Sequence, residues 1–125
     1  MPRSLGFPPL PQARILASTP GTGYTLVNGT GAVISWTAPN DGNVHFVTTA
    51  IQVVVTSGET GGQFQVATGS VAAVTIDAGG HGSAGSYTGS EGVSQAVLPG
   101  QTVTVNQSTA LTVGAAVAYI AIIGA

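Results

Sequence analysis

From Gly23 to Ile123 the chain is a succession of Val- and Thr-rich runs cut by glycine-bearing turns, and no long window places apolar residues at i, i+3, i+4 and i+7. That patterning excludes a helical body. Valine and threonine, both suited to pleated surfaces, number sixteen each. Strands are expected at Gly23 to Val27, Ala32 to Thr37, Asn43 to Thr56, Gln63 to Thr68, Val71 to Ala78, Val93 to Leu98, Gln101 to Asn106 and Ala110 to Ile123. The segments between them have turn chemistry: Asn28-Gly29-Thr30-Gly31, Pro39-Asn40-Asp41-Gly42, Gly58-Glu59-Thr60-Gly61-Gly62 and Pro99-Gly100.

Two of these strands are too long for the body they belong to. Asn43 to Thr56 would span about 46 Å if straight, against roughly 30–35 Å for a domain of this size. Corners are expected at Thr48-Thr49-Ala50 and Gly114-Ala115-Ala116, where each strand would leave one sheet for the other. Eight strands with regular turns define an all-β fold, a small two-sheet β-sandwich of jelly-roll type over residues 23–125, with an immunoglobulin-like sandwich as second choice. Alternation assigns Val44, Phe46, Ile51, Val53, Val55, Phe64, Val66, Val74, Ile76, Val97, Val103 and Val105 to the core, with Trp36 anchoring its end near Pro39. The last strand is apolar on both faces. Val113, Ala115, Val117, Tyr119, Ala121 and Ile123 are assigned to the core face, and Ala116, Ala118, Ile120 and Ile122 to a contact with a neighbouring subunit.

Residues 1–22 hold five of the seven prolines and no strand or helix pattern. They read either as a disordered tail or as an extended arm, which in polyproline geometry would reach about 68 Å. Leu5, Phe7, Pro8, Pro9, Leu10, Ile15 and Leu16 are the side chains with which it would dock on a partner. Those prolines also break any apolar core of a signal peptide, and Ala110 to Ala125 is short and β-branched for a membrane helix. Synthesis in a cytoplasm and delivery by assembly are expected.

Only two Lys+Arg and four Asp+Glu are present, 5% of the chain against about 25% ordinarily. Nucleic-acid binding through a basic face is excluded. With no cysteine, disulfides, thiolate metal sites and cysteine nucleophiles are excluded too. Asp41 and Glu59 fall in turns, where Asp41 caps its own backbone and Glu59 faces water, and His45 alternates to the outer face. The stretch Asp77 to Gly92 gathers two acids, a histidine, a tyrosine and six glycines. It reads as a surface loop in which His81 and Tyr87 could touch a sugar or partner. A metal shell of oxygen ligands plus an imidazole is a third reading, but no known ligand spacing supports it. No Gly-x-Ser-x-Gly elbow and no phosphate-loop lysine occur. Neither catalytic residues, nor a cofactor, nor a small-molecule ligand is therefore expected.

The segment Ser35-Trp36-Thr37-Ala38-Pro39-Asn40-Asp41-Gly42, the turn Ser57-Gly58-Glu59-Thr60-Gly61-Gly62-Gln63 and the Val/Thr/Ala-rich end resemble small virion proteins of tailed bacteriophages. The resemblance is greatest to capsid decoration, or cement, proteins. It implies a homo-oligomer, a trimer in preference, bound to the major capsid protein on the outside of the shell and stabilising it by bridging neighbouring subunits. In that family an N-terminal arm often joins the shell contact, which would give residues 1–22 a role. The alternative is a carbohydrate- or receptor-binding module of a tail fibre or surface adhesin, since small sandwiches serve both purposes.

Overall fold

The computed structural model describes residues 13–69, 71–90 and 95–124. The described residues form ten strands in the order β1 (Arg14–Ser18), β2 (Tyr24–Thr25), β3 (Gly31–Thr37), β4 (His45–Gly61), β5 (Phe64–Thr68), β6 (Val74–Asp77), β7 (Gly85–Ser90), β8 (Gln95–Val97), β9 (Thr102–Gln107) and β10 (Leu111–Gly124). They form two antiparallel sheets. Sheet A runs β1-β10-β4-β7, with β2 also on β10 and β8 also on β4; sheet B runs β3-β9-β5-β6.

The pairings are nested. β5 pairs with β6, β4 with β7 and β8, β3 with β9, and β10 with β1 and β2. One long hairpin, folded over so that successive pairs alternate between sheets, is the jelly-roll arrangement. The sandwich expected from the sequence is thus the fold observed.

Three local expectations are corrected. β1 lies inside the stretch read as an arm, and pairs Arg14 with Gly124 through Ser18 with Ala121. The run Arg14-Ile15-Leu16-Ala17-Ser18 is short, but it covers part of the outer edge of β10, which would otherwise expose unpaired amides and carbonyls. Leu16 packs on the core and Ile15 points outward. Leu5, Phe7, Pro8, Pro9 and Leu10 lie outside the described residues.

Neither long strand changes sheets. β4 and β10 pair with each other from Gly61–Leu111 to Val47–Gly124, and β10 bends through register shifts between Leu111 and Ala116. At the centre of those shifts Gly114 has φ 89°. A Cβ there would run into the Ser57 and Gly58 carbonyl oxygens, so the bend needs glycine. Because β4 keeps one sheet, its inward parity is continuous: Val47, Thr49, Ile51, Val53 and Val55 are buried, while Val44 and Phe46, assigned inward from a corner at Thr48 to Ala50, are exposed. Val74, at the start of edge strand β6, is exposed as well.

The two faces of β10 are the reverse of the expectation. Ala116, Ala118, Ile120 and Ile122 are at most 2% exposed and belong to the core, whereas Val113 and Tyr119 are exposed. Side chains enclosed within one chain have no surface left to offer a second subunit. The small alanines face inward because the interior also takes Phe64, Val66, Val103 and Val105 from sheet B, and two sheets about 10 Å apart have no room for large groups at every position. Gln107, also fully buried, is satisfied. Its Oε1 accepts from the Tyr24 hydroxyl and Val27 N–H, and its Nε2 donates to the Val27 and Thr109 carbonyls.

Candidate functional site

Two places on the molecule depart from an ordinary small sandwich. The first is a buried ionisable cluster at the end of β4. Beyond an exposed Ser57 and the shifts of register with β10, β4 carries Glu59 into the interior, where it is 3% exposed, so the water-facing turn expected at this residue is corrected. Asp77 ends β6, and its Oδ1 accepts the Gly79 N–H at 2.7 Å. Gly79 continues with φ 72°, and a Cβ on it would strike the Gly61 carbonyl oxygen. Chain reversal there brings the following loop against β4, where the Glu59 N–H donates to the His81 carbonyl at 2.7 Å.

These contacts hold the His81 ring between two carboxylates. Nδ1 stands 2.6 Å from Glu59 Oε1 and Nε2 stands 3.4 Å from Asp77 Oδ2. One donor atom from each of the three residues lies within 4.8 Å of the others. Tyr87 closes the cluster: its ring stacks on His81 at 4.0 Å with a 30° tilt, and its hydroxyl donates to the Ser83 carbonyl at 2.8 Å. The side chains of Glu59, Asp77 and His81 are 0, 5 and 15% exposed. Glu59 Oε2 is buried with no hydrogen-bond partner among the described residues.

The stretch read as a surface loop is therefore largely structured, since residues 85–90 form β7 on the edge of β4. Its glycine- and serine-rich sequence has little strand propensity, and pairing with β4 overrides it. His81 and Tyr87, expected to contact a sugar or partner, are turned inward on each other. Sequence reasoning missed Glu59 and Asp77 as members of one group. Even spacing from Ile51, Val53 and Val55 was no guide to Glu59, because Ser57 shares that spacing and is exposed.

The other histidine, His45, opens β4 on the inward parity of Val47 with its side chain 18% exposed, so the outer-face placement expected for it is corrected. Asp41 Oδ1 accepts the Asn43 N–H at 2.9 Å, the expected self-cap, and His45 Nε2 lies 3.2 Å from Asp41 Oδ2. The Asn43 N–H and, to a lesser degree, His45 hold the Asp41 carboxyl below its ordinary range. His45 meets Trp36 edge-on at 5.6 Å.

The second place is the outer face of sheet A. Register sets its cross-strand rows: Phe46 with Ala96; Ile15, Ile123 and Thr48; Ala121, Ala50 and Ser90; Tyr119, Gln52 and Thr88; Val117, Val54 and Ser86. No charged side chain occurs in any of these rows. Ile15 is 65% exposed, Phe46 60% and Tyr119 38%. Val44 and Leu98, one residue beyond the His45–Val97 pair on either strand, extend the apolar end of this face. Across its middle the Ser18–Gly21 segment forms one wall of a cleft of about 570 Å³ over Tyr119, Gln52 and Thr88. Comparison with protein-family models, with curated proteins and with solved structures found no match for this chain.

Proposed function

We propose that this chain is a structural protein that works by attachment: a virion component that binds the outside of a bacteriophage capsid and stabilises it by bridging neighbouring major capsid subunits. The observation that carries the attachment reading is the uncharged outer face of sheet A, apolar at the Val44–Phe46–Leu98 end. Contiguous exposed apolar surface on a small domain marks a place where another protein sits. The surrounding Thr, Ser and Gln side chains supply hydrogen bonds without the desolvation penalty of ions.

The phage setting rests on the resemblance carried by Ser35–Gly42 and Ser57–Gln63 and on a jelly-roll fold compatible with it. Neighbouring copies, a trimer in preference, meet through outward side chains of sheet A such as Tyr119 and Ile123, because Ala116, Ala118, Ile120 and Ile122 are enclosed. No catalytic role enters this reading.

Sedimentation equilibrium of the full chain, followed by co-sedimentation with shells of major capsid protein, tests it. The expected result is a particle of about three times 12.2 kDa that pellets with shells, and Phe46→Lys and Ile123→Lys variants of unchanged melting temperature that do so weakly or not at all. A wild-type protein that stays at 12.2 kDa and in the supernatant refutes the proposal.

The second reading, a carbohydrate-binding module, is favoured by one observation. The cleft presents an aromatic ring, an amide and a hydroxyl from Tyr119, Gln52 and Thr88, the groups that stack on and hydrogen-bond to a sugar ring. Glycan-array binding lost in Tyr119→Ala supports it; an array without signal removes it.

A further inference from the structure

The chain has six acidic and histidine side chains. Three of them, from the end of β4, the end of β6 and the loop that follows, converge within 4.8 Å in the interior. A fold that places so few ions on its surface has little structural reason to bury three together. Taking carboxylates out of water is costly unless positive charge and hydrogen bonds replace the solvent.

His81 does not complete that replacement. In the tautomer that donates from Nδ1 to Glu59 Oε1, the Nε2 lone pair faces Asp77 Oδ2, electron pair against electron pair, at 3.4 Å. Glu59 Oε2, on a fully buried side chain, has no partner at all among the described residues. It borders Gly62, where a Cβ would come to 2.8 Å from it, so the surrounding chain leaves this oxygen room but no donor. In that tautomer the imidazole carries no charge, and the two carboxylates beside it hold two negative charges.

We propose that Glu59, Asp77 and His81 form a binding site for one divalent transition-metal ion of the Zn²⁺ class. Two ligands at a tetrahedral angle on an ion with bonds of about 2.1 Å stand about 3.4 Å apart, which is the separation of His81 Nε2 from Asp77 Oδ2. Glu59 acts on the other side of the ring. A ligating imidazole ordinarily donates its second N–H to a carboxylate, which fixes the tautomer and strengthens the ligand, and Glu59 Oε1 is in that position at 2.6 Å. Tyr87, stacked on the ring, holds its plane, and the Gly79 N–H holds Asp77 through Oδ1 so that Oδ2 remains available. A mixed nitrogen and oxygen donor set favours Zn²⁺ or Co²⁺ over Mg²⁺ and Ca²⁺, which prefer oxygen alone. The ion's two positive charges match the two carboxylates and tie β4, β6 and the loop before β7 together.

The experiment uses the full chain stripped with EDTA. Calorimetric titration with Zn²⁺ is expected to give one ion per chain, with Mg²⁺ failing to compete, and Zn²⁺ is expected to raise the melting temperature by several degrees. Co²⁺ is expected to give the intense visible absorption of a tetrahedral site. Asp77→Asn and His81→Gln should each weaken Zn²⁺ binding at least 100-fold, and Glu59→Gln about 10- to 100-fold. Failure of the wild-type chain to take up either ion overturns the proposal, as does affinity unchanged in folded Asp77→Asn and His81→Gln. Should those variants not fold, the wild-type Co²⁺ spectrum decides, and a weak octahedral spectrum overturns it. The site is independent of the attachment reading, because a monomer that fails to bind shells but takes up Zn²⁺ loses only that reading.

Discussion

Removing His81 tests how the buried cluster is held when no metal is supplied. In His81→Ala, Glu59 loses the imidazole at 2.6 Å from Oε1, while Oε2 has no partner among the described residues. Both oxygens of one carboxylate are then uncompensated. Breaking a buried pair from one side costs about 3–5 kcal/mol, because the remaining charge stays buried. With an unfolding entropy of about 2.1 cal/mol/K per residue, a chain of this length would lose roughly 11–19 °C in melting temperature. Replacing both partners by apolar groups removes the orphan along with the pair, so Glu59→Leu/His81→Ala is expected to recover most of the loss. The assay is reversible thermal unfolding followed by circular dichroism in EDTA, with Glu59→Leu completing the double-mutant cycle. A His81→Ala loss below about 1 kcal/mol, or single-variant losses that simply add in the double variant, would refute the account of Glu59 as a carboxylate dependent on His81.

Neighbouring positions on β10 give the opposite pair of outcomes. Ala118→Lys forces an ammonium into a fully enclosed site and is expected to yield insoluble or unfolded protein, whereas Tyr119→Lys, one residue along and outward, should leave the unfolding free energy within about 0.5 kcal/mol of wild type; equal effects on solubility and circular dichroism would contradict the assignment of faces. Burial raises the Tyr24 hydroxyl above its ordinary value of 10.0. Above that pH the unfolded chain loses the proton while the folded one keeps it, so stability should fall as pH rises past 10.0. Tyr24→Phe should remove that part of the alkaline slope in urea unfolding, and an unchanged slope would contradict the assignment.

The fold was legible in the sequence because its information is local. Turn residues at Asn28-Gly29, Pro39 to Gly42 and Pro99-Gly100 bound runs rich in β-branched residues, and two sheets follow from their number and spacing. What escaped notice depended on partners distant in the chain. β7 is Gly-Ser-Tyr-Thr-Gly-Ser, a strand only because β4 offers it an edge. The faces of β10 could not be ranked by polarity, since both are apolar; the choice is made by volume, with alanines inward where the opposing sheet brings Phe64. Expecting a corner at Thr48 to Ala50 reversed the parity of Val44 and Phe46, and the turn chemistry of Gly58 to Gly62 ended the expected strand before Glu59. The buried cluster went unseen for the same reason, because it exists only where the ends of β4 and β6 meet.

The nested pairing has a consequence for synthesis. The innermost hairpin, β5 with β6, joins segments that leave the ribosome together, but β4 cannot gain its long neighbour, nor β1 and β2 theirs, until β10, the last of the described strands, has emerged. Between the emergence of β4 and that of β10 a nascent chain therefore carries β4 half-dressed, and closure waits on a pairing between distant segments, the slow kind in β folds. Loss of β10 would deprive three strands, β1, β2 and β4, of a partner at once.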